Sequence, residues 1–477
     1  MEYQHSYESM FGSKEYHVTP NFQALNLNEA LISQVMDKAR NEKKWVILFF
    51  IGTKPCFYKF HGSIVAAERY DIPHLVINAN QHYDDTLVHG LKEFNINVAA
   101  NLLIKGSLAE RSSELILKVH WLAKYLSKNW PSVTVVPMVL GDTILTPMVP
   151  LAWMFSRNEK CIHNEAGLRG MAPIAIRDLN KLDINSFINA QFYGKWELVR
   201  HEPFPEQWDT YVAAAGSEFH FAPTELNREH LLREGYPSEN IWVTGGVVVD
   251  ALELKLKENI KNSIFNIYPQ LEQGEWIRVD IHRRGNITPM RFKAIIGAVK
   301  SLVNKGYNIN FIEMNATKYA LEEFKLRNEL ELLKKSRNFL MTEIWPEYSH
   351  VVEFFRSKHF FTALTDSGGV QEELNLLQKP CLTARFNTDR PETVMDARTN
   401  LLVPPISASF MAGMVEHFYK DQNLYKRMAD GKKMYGENVG DKTMQIIKKL
   451  MNDNVPTFKW AHHHLGFKDE DTEFKFL

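Results

Sequence analysis

The residues best suited to chemistry sit where short apolar runs stop. Leu364-Thr365-Asp366-Ser367-Gly368-Gly369-Val370-Gln371-Glu372-Glu373 follows one such run and opens a helical pattern. Ser367, Gly368 and Gly369 then occupy a helix N-terminus, where backbone N–H groups lack intrahelical acceptors and the dipole end is positive. That is anion-binding chemistry, with glycines that let a diphosphate approach the backbone; the plainer reading is a serine N-cap on a tight turn. Glu373 lies one to two turns in, where a carboxylate can accept ribose hydroxyls. Arg390, in Asn387-Thr388-Asp389-Arg390-Pro391-Glu392, follows the next apolar run. An arginine at the carboxyl end of a strand is a natural pyrophosphate partner, or else a surface residue in a turn. His282-Arg283-Arg284-Gly285-Asn286 closes a further run, as an anion site or a solvated charge cluster.

Carboxylates mark the N-terminal half. Gly141-Asp142-Thr143 follows the run Val133–Val139, and Glu165-Ala166-Gly167-Leu168-Arg169 follows Lys160–His163. Pro205-Glu206 precedes a helical stretch, and Gly52-Thr53-Lys54-Pro55 follows the first apolar run, with Lys59 about a turn later. Acids at the carboxyl ends of strands, facing a bound diphosphate, point to proton transfer. Each acid taken singly also fits a cap or a surface position. His462-His463-His464 offers metal-ligating side chains but reads as a solvated run in a polar tail. Met10 and Phe11 read as packing for an N-terminal strap.

The elements that must position these residues are strands alternating with helices. Eleven strands are predicted: Trp45–Ile51, His74–Ala79, Val133–Val139, Lys160–His163, Glu218–Ala222, Ile241–Thr244, Trp276–Ile281, Ile309–Met314, Phe339–Ile344, His359–Leu364 and Pro380–Ala384. Helical period fills Ser107–Leu126, Pro289–Val303 and Lys318–Lys334. Continuous apolar strands separated by helices mean parallel sheets covered on both faces. Eleven strands exceed one ordinary open sheet, so two doubly wound α/β domains are expected. The boundary is placed near Gly245–Tyr268. The expected organisation is an N-terminal extension (1–40), a Rossmann-like domain (41–250) with an insert at 171–202, a second Rossmann-like domain (270–450) and a tail (451–477).

Composition sets the outer bounds. The 477 residues suggest two or three domains, and 45% hydrophobic with 24% charged residues is ordinary globular usage. Lys and Arg number 56 against 57 Asp and Glu, a net charge of −1, which gives no bias toward nucleic acid or anionic membrane. Three cysteines without a CxxC argue against a disulfide framework or structural zinc and for a reducing compartment. The opening residues carry no apolar h-region, and no run approaches the ~20 residues of a membrane span, so a cytoplasmic protein is expected.

Together these strings resemble the non-hydrolysing UDP-N-acetylglucosamine 2-epimerases. Gly52–Pro55 with Lys59, Gln81-His82, Gly141–Thr143, Glu165–Arg169, Pro203–Glu206, His220–Gly235, Ile241–Gly246, His282–Asn286, Leu364–Glu373 and Thr388–Glu392 occur in family order across about residues 45 to 405. The resemblance implies a GT-B fold, two Rossmann-like domains with a cleft between them. It implies that Ser367, Gly368 and Gly369 hold a diphosphate, Glu373 the ribose, and Arg390 and Arg283 the phosphates, with His282 helping UDP depart. Asp142, Glu165 and Glu206 would supply acid–base groups, with Lys59 catalytic beside them. Lys54, Arg169, Gln81 and His82 would line the cleft.

The implied reaction inverts C2 of UDP-GlcNAc or a related UDP-HexNAc. UDP is eliminated across C1–C2 to give 2-acetamidoglucal and is then added back. That route needs cations and backbone donors for the departing diphosphate, a base on one face and an acid on the other, and no metal or redox cofactor. The resemblance also implies a homodimer and closure around a hinge near 245–270. Departures from the family pattern are Lys54 for an arginine, Cys56 for a glutamate, Gln207-Trp208-Asp209-Thr210 after Glu206, Glu313 for a histidine, Ala316 for a proline, and the long segment after Arg169. Two rival readings remain open: a hydrolysing 2-epimerase releasing UDP and ManNAc, and a GT-B glycosyltransferase or silent nucleotide-sugar binder.

Overall fold

The computed structural model describes residues 26–79, 91–141, 143–200, 206–258, 260 and 262–457, with the side chains of 54, 55, 206 and 207 outside that description. The chain divides into two compact units. One holds Met1–Gly167, Trp208–Asp250 and Asn438–Leu477; the other holds Leu168–Gln207 and Ala251–Glu437.

The chain builds most of the first unit with β1 (Asn26–Leu27), β2 (Val46–Ile51), β3 (His74–Asn78), β4 (Ala100–Asn101), β5 (Val135–Leu140) and β6 (Cys161–Asn164). It enters the second unit with β7 (Met171–Pro173) and β8 (Trp196–Leu198), then returns with β9 (Ser217–Ala222) and β10 (Ile241–Val243). The second unit is completed by β11 (Trp276–Asp280), β12 (Asn308–Glu313), β13 (Phe339–Glu343), β14 (Phe360–Thr365), β15 (Cys381–Thr383) and β16 (Asn400–Leu402). All eleven predicted strands are present within a residue or two at their ends. The five others span only two or three residues each, too short to carry a hydrophobic period.

Strand order in the first sheet is β1-β4-β3-β2-β5-β6-β9-β10, parallel except at β1. In the second sheet it is β13-β12-β11-β14-β15-β16, parallel throughout. Both orders run outward in two directions from a central pair, β2 with β5 and β11 with β14. These pairs are the topological switch points, where open α/β sheets leave a crevice at the carboxyl ends of their strands. Burial explains the continuous apolar strands: every residue of β2 and of β14 is buried. Alternation would appear only if one face met water. Each fully buried Phe of β2, Phe49 and Phe50, contributes about 1.5–3 kcal/mol.

Local signals set the helix ends. The helix Leu108–Asn129 starts at a capping box, Ser107 with Glu110. The stretch read as one helix over Lys318–Lys334 is two, Asn315–Glu323 and Arg327–Leu333. Lys325, at φ 57°, adopts a left-handed conformation between them and ends the first.

Two domain assignments are corrected by packing. The insert, expected in the first domain, belongs to the second unit. Its helix Ile184–Tyr193 places Phe187, Ile188 and Phe192 in that unit's core. Its Gln191 carboxamide bonds both backbone groups of Leu402, accepting from N–H at 2.6 Å and donating to C=O at 3.1 Å. One side chain thus satisfies both backbone groups of Leu402 at the buried edge strand β16. The helix Val439–Asn452, expected at the end of the second domain, packs in the first unit. The Asp250 carboxylate accepts from the backbone N–H of Val439 and Gly440, at 3.0 and 2.6 Å, and caps it. Gly440 lies so close to Gly62 of the helix Lys54–Arg69 that a Cβ there would stand 2.3 Å from the Gly62 carbonyl carbon.

Candidate functional site

In the second unit the predicted anion residues converge on the switch point. β14 delivers Asp366 and Ser367, and Ser367 caps the helix Gly368–Leu376, its hydroxyl accepting from the Val370 N–H. The N–H groups of Gly368 and Gly369 head that helix, where no intrahelical acceptor exists. A Cβ on Gly369 would find no atom nearer than the Ser367 hydroxyl at 3.9 Å. The protein's own packing therefore does not demand glycine there, but close approach of a ligand would.

β11 delivers the loop His282–Asn286 beside it. Asp366, fully buried, organises that loop. Its carboxylate accepts from the backbone N–H of His282 (3.0 Å) and Arg283 (3.0 Å) and from the Asn286 side-chain amide (3.0 Å). It also lies 3.2 Å from His282 Nδ1. Neither Asp366 nor Asn286 was singled out from sequence, although both stand inside the quoted motifs. The signal for Asp366 was a small polar residue immediately after a buried strand; Asn286, six residues past β11, had none.

The third wall is the loop after β15. Asp389 sits among three guanidinium groups: Arg385 at 2.8 Å, Arg390 at 3.1 Å and Arg283 at 3.4 Å. Burial works against its charge, but the three arginines hold its carboxyl far below the usual carboxylate range. Arg390 also donates through Nε to the buried Glu372, and its guanidinium lies 3.2 Å from where a Gly368 Cβ would stand. Arg283 and Arg390 are thus brought to the same helix N-terminus as Ser367–Gly369. Glu373 is nearly buried and accepts from the Tyr348 hydroxyl at 3.1 Å. Glu392 is fully buried, and its acid is pushed up to about 7 by that burial, against the opposing hydrogen bond from Tyr435 at 2.7 Å.

In the first unit the carboxyl ends of β2, β5 and β6 bring a second set together. Lys59, on the helix Lys54–Arg69 after β2, meets Glu165 after β6 at 2.6 Å, with both side chains buried. A Cβ on Gly141, at the end of β5, would lie 3.0 Å from Glu165 Oε2. Glu165 holds φ 62°, a left-handed conformation that costs a non-glycine residue about 1–2 kcal/mol. Such strain persists where surroundings over-determine it, typically at functional positions.

The loop after Glu165 is clamped from below. His230 Nδ1 lies 3.0 Å from the Gly167 carbonyl, and the Asn227 amide donates to it at 3.4 Å. Gly167, at φ 80°, approaches so closely that a Cβ would meet the Asn227 carbonyl oxygen at 2.1 Å. The long string His220–Gly235 thus supports the Glu165 loop. Arg169 is fully buried and donates to the Leu168 carbonyl at 2.7 Å. Glu206 and Lys54 each open a helix, Glu206–Ala215 and Lys54–Arg69, with side chains outside the described residues. Asp142, Gln81 and His82 also lie outside them, as do Met10, Phe11 and His462–His464.

Among the described residues, no group of three or more His, Cys, Asp or Glu side chains could hold a metal ion. Cys56, Cys161 and Cys381 are free and buried. Among the described residues no helix is long and apolar enough to cross a membrane.

A profile of UDP-N-acetylglucosamine 2-epimerase matches residues 199–451, more than half of the chain. The chain belongs to the UDP-N-acetylglucosamine 2-epimerase family. It is an epimerase, and so an isomerase. It is 29% identical over 390 residues to the UDP-N-acetylglucosamine 2-epimerase of Methanocaldococcus jannaschii, covering 80% of this chain and 94% of the relative. It is 30% identical over 324 residues to that of Yersinia pestis, covering 67% and 76%. Among solved structures it is similar to the Methanocaldococcus jannaschii UDP-GlcNAc 2-epimerase in complex with UDP-GlcNAc and UDP. There the identity is 26%, the coverage 85% of this chain and 99% of that one, and the TM-score 0.67. It is equally similar to the Neisseria meningitidis enzyme bound to UDP-GlcNAc, at 26% identity, 85% and 100% coverage and a TM-score of 0.67. The fold class of this epimerase is α/β of the GT-B type, with two Rossmann-like units.

Proposed function

We propose that this epimerase inverts C2 of UDP-GlcNAc or a related UDP-HexNAc by elimination and re-addition of UDP. The observation that carries the reading is the anion cradle at the β11–β14 switch point: a glycine-headed helix N-terminus flanked by Arg283, Arg390 and His282. A nucleoside diphosphate needs this chemistry to bind and, as a leaving group, to depart. In this reading Ser367, Gly368 and Gly369 donate to the diphosphate, Arg283 and Arg390 neutralise it, and Glu373 takes the ribose. His282, anchored through its backbone on Asp366, meets the oxygen that leaves C1.

An acid–base set handles the sugar. The proton on C2 passes to one acid–base group as the C1–O bond breaks, leaving UDP and 2-acetamidoglucal. A second acid returns a proton to the opposite face of C2 while the diphosphate oxygen re-forms the bond to C1. Asp142, Glu165 and Glu206 are assigned to these transfers. Lys59 gives Glu165 a fixed charge partner, and Lys54, Arg169, Gln81 and His82 line the sugar's surroundings. No step calls on a metal or redox cofactor. The family resemblance further assigns a cytoplasmic homodimer, the dimer being checked by light scattering.

The test is incubation of purified protein with UDP-GlcNAc, followed by separation of UDP-GlcNAc, UDP-ManNAc and UDP. The reading expects a reversible mixture of the two nucleotide sugars, reached from either side. UDP accumulating with free ManNAc would replace it with the hydrolysing reaction. UDP binding without turnover of any UDP-HexNAc would leave a binder.

A further inference from the structure

Two walls of the anion cradle come from different parts of the chain, and beside the Arg390–Glu372 pair a second side chain joins them. Gln371 lies in the first turns of the helix Gly368–Leu376 and is 1% exposed. Its amide nitrogen donates to the Ser367 carbonyl at 3.1 Å. Its carbonyl oxygen accepts from the Thr388 hydroxyl at 2.6 Å and from the Asn400 amide at 2.9 Å. Thr388 in turn accepts from the Arg390 N–H at 3.0 Å. An unbroken line of hydrogen bonds therefore runs from the residue that caps the glycine turn to the backbone that carries Arg390.

The insert braces the same loop from its other side. Met171 and Thr388 exchange both backbone hydrogen bonds, each at 2.9 Å, and Met171 is itself paired in the hairpin of β7 with β8. Thr388 is thus held through its backbone by the insert and through its side chain by Gln371. A carboxamide suits this place because it donates and accepts at once, and the interior makes an unmade bond costly.

We propose that Gln371 is a positioning residue that fixes the spacing between the Ser367–Gly369 helix N-terminus and the Thr388–Arg390 loop, and that the insert's hairpin completes the clamp. This rests on the reading of that cradle as the diphosphate site. Gln371 touches no ligand in the proposal. It sets the distance across which backbone donors and the Arg390 guanidinium grip the same diphosphate, and rigid support of this kind governs affinity.

The test measures UDP binding by calorimetry, with thermal unfolding followed in parallel, for the wild type, Q371M, Q371E and T388V. Q371M keeps the side-chain length and removes every hydrogen bond. Q371E keeps the acceptor for Thr388 and Asn400, but sets a carboxylate oxygen against the Ser367 carbonyl and adds a buried negative charge. Expected is a loss of about tenfold or more in UDP affinity for Q371M, ~1.4 kcal/mol, at a temperature where the protein is fully folded. Q371E should weaken UDP at least as much, through the added buried charge. KM for the UDP-sugar should rise more than kcat falls.

T388V should weaken UDP in the same direction, and the Q371M/T388V double variant should lose less than the product of the two single effects. It also keeps the question open to refutation if Q371M does not fold. A folded Q371M or T388V that binds UDP within twofold of the wild type overturns the inference, leaving Gln371 a plain core hydrogen bond. A wild type that binds no UDP overturns the diphosphate reading and this inference with it.

Discussion

Lys59 and Glu165 form a buried ion pair at 2.6 Å, to which the proposal gives a part in handling the sugar. Breaking a buried ion pair by removing one member is destabilising, by about 3–5 kcal/mol. Lys59→Met is expected to lose stability of that order in chemical denaturation, and to lose turnover even where it remains folded. Adding Glu165→Gln to it should restore part of the stability and none of the activity. A Lys59→Met enzyme as stable as the wild type would contradict the pairing.

Glu392 makes a different prediction. Burial pushes its acid up to about 7 in the folded protein, against about 4.3 in the unfolded chain. Between those values the native state keeps a proton that the unfolded state releases, so this group's contribution to stability falls as pH rises from about 4.3 to about 7. Glu392→Gln is expected to abolish that slope, which amounts to roughly 3–4 kcal/mol in total. Melting temperatures of the two proteins across that range provide the check, and parallel curves would refute it.

Glycines separate a ligand's demands from the fold's at the level of elements. Gly167 is required by its own backbone and by the Asn227 carbonyl, so Gly167→Ala should destabilise by about 3 kcal/mol or more. Gly369 has open space where a methyl would go. Gly369→Ala should therefore leave the melting temperature unchanged or slightly raised, while weakening UDP roughly tenfold, since every 1.4 kcal/mol of lost contact is tenfold. Unaltered UDP affinity would remove the helix N-terminus from the diphosphate site.

The same contrast shows what could be read from the chain. Apolar runs such as Val46–Ile51 announced parallel strands because both faces are buried, and Ser367-Gly368-Gly369 announced a helix start because capping is local. The role of Asp366 was hidden, since its partners His282, Arg283 and Asn286 are about 80 residues away. So was the placement of the insert and of the helix Val439–Asn452. Both pack against segments distant in sequence, and hydrophobic period alone names no partner.

For the whole molecule, the two sheets repeat one topology and carry complementary chemistry at their switch points. The second unit has backbone donors and cations at its switch point, which the proposal gives to a leaving diphosphate, and the first has a buried carboxylate with its lysine. Fold alone does not decide the reaction; family membership makes the chain an epimerase, and the anion cradle supports the proposed route. The central claim is that the C2–H bond is broken and re-formed. It is tested most directly by proton NMR of the purified protein with UDP-GlcNAc in D2O. The account predicts loss of the C2 proton signal through deuterium uptake, in step with the growth of UDP-ManNAc anomeric signals. Epimer formation with the C2 proton retained, or UDP binding with no exchange at C2 in any UDP-HexNAc, would contradict it.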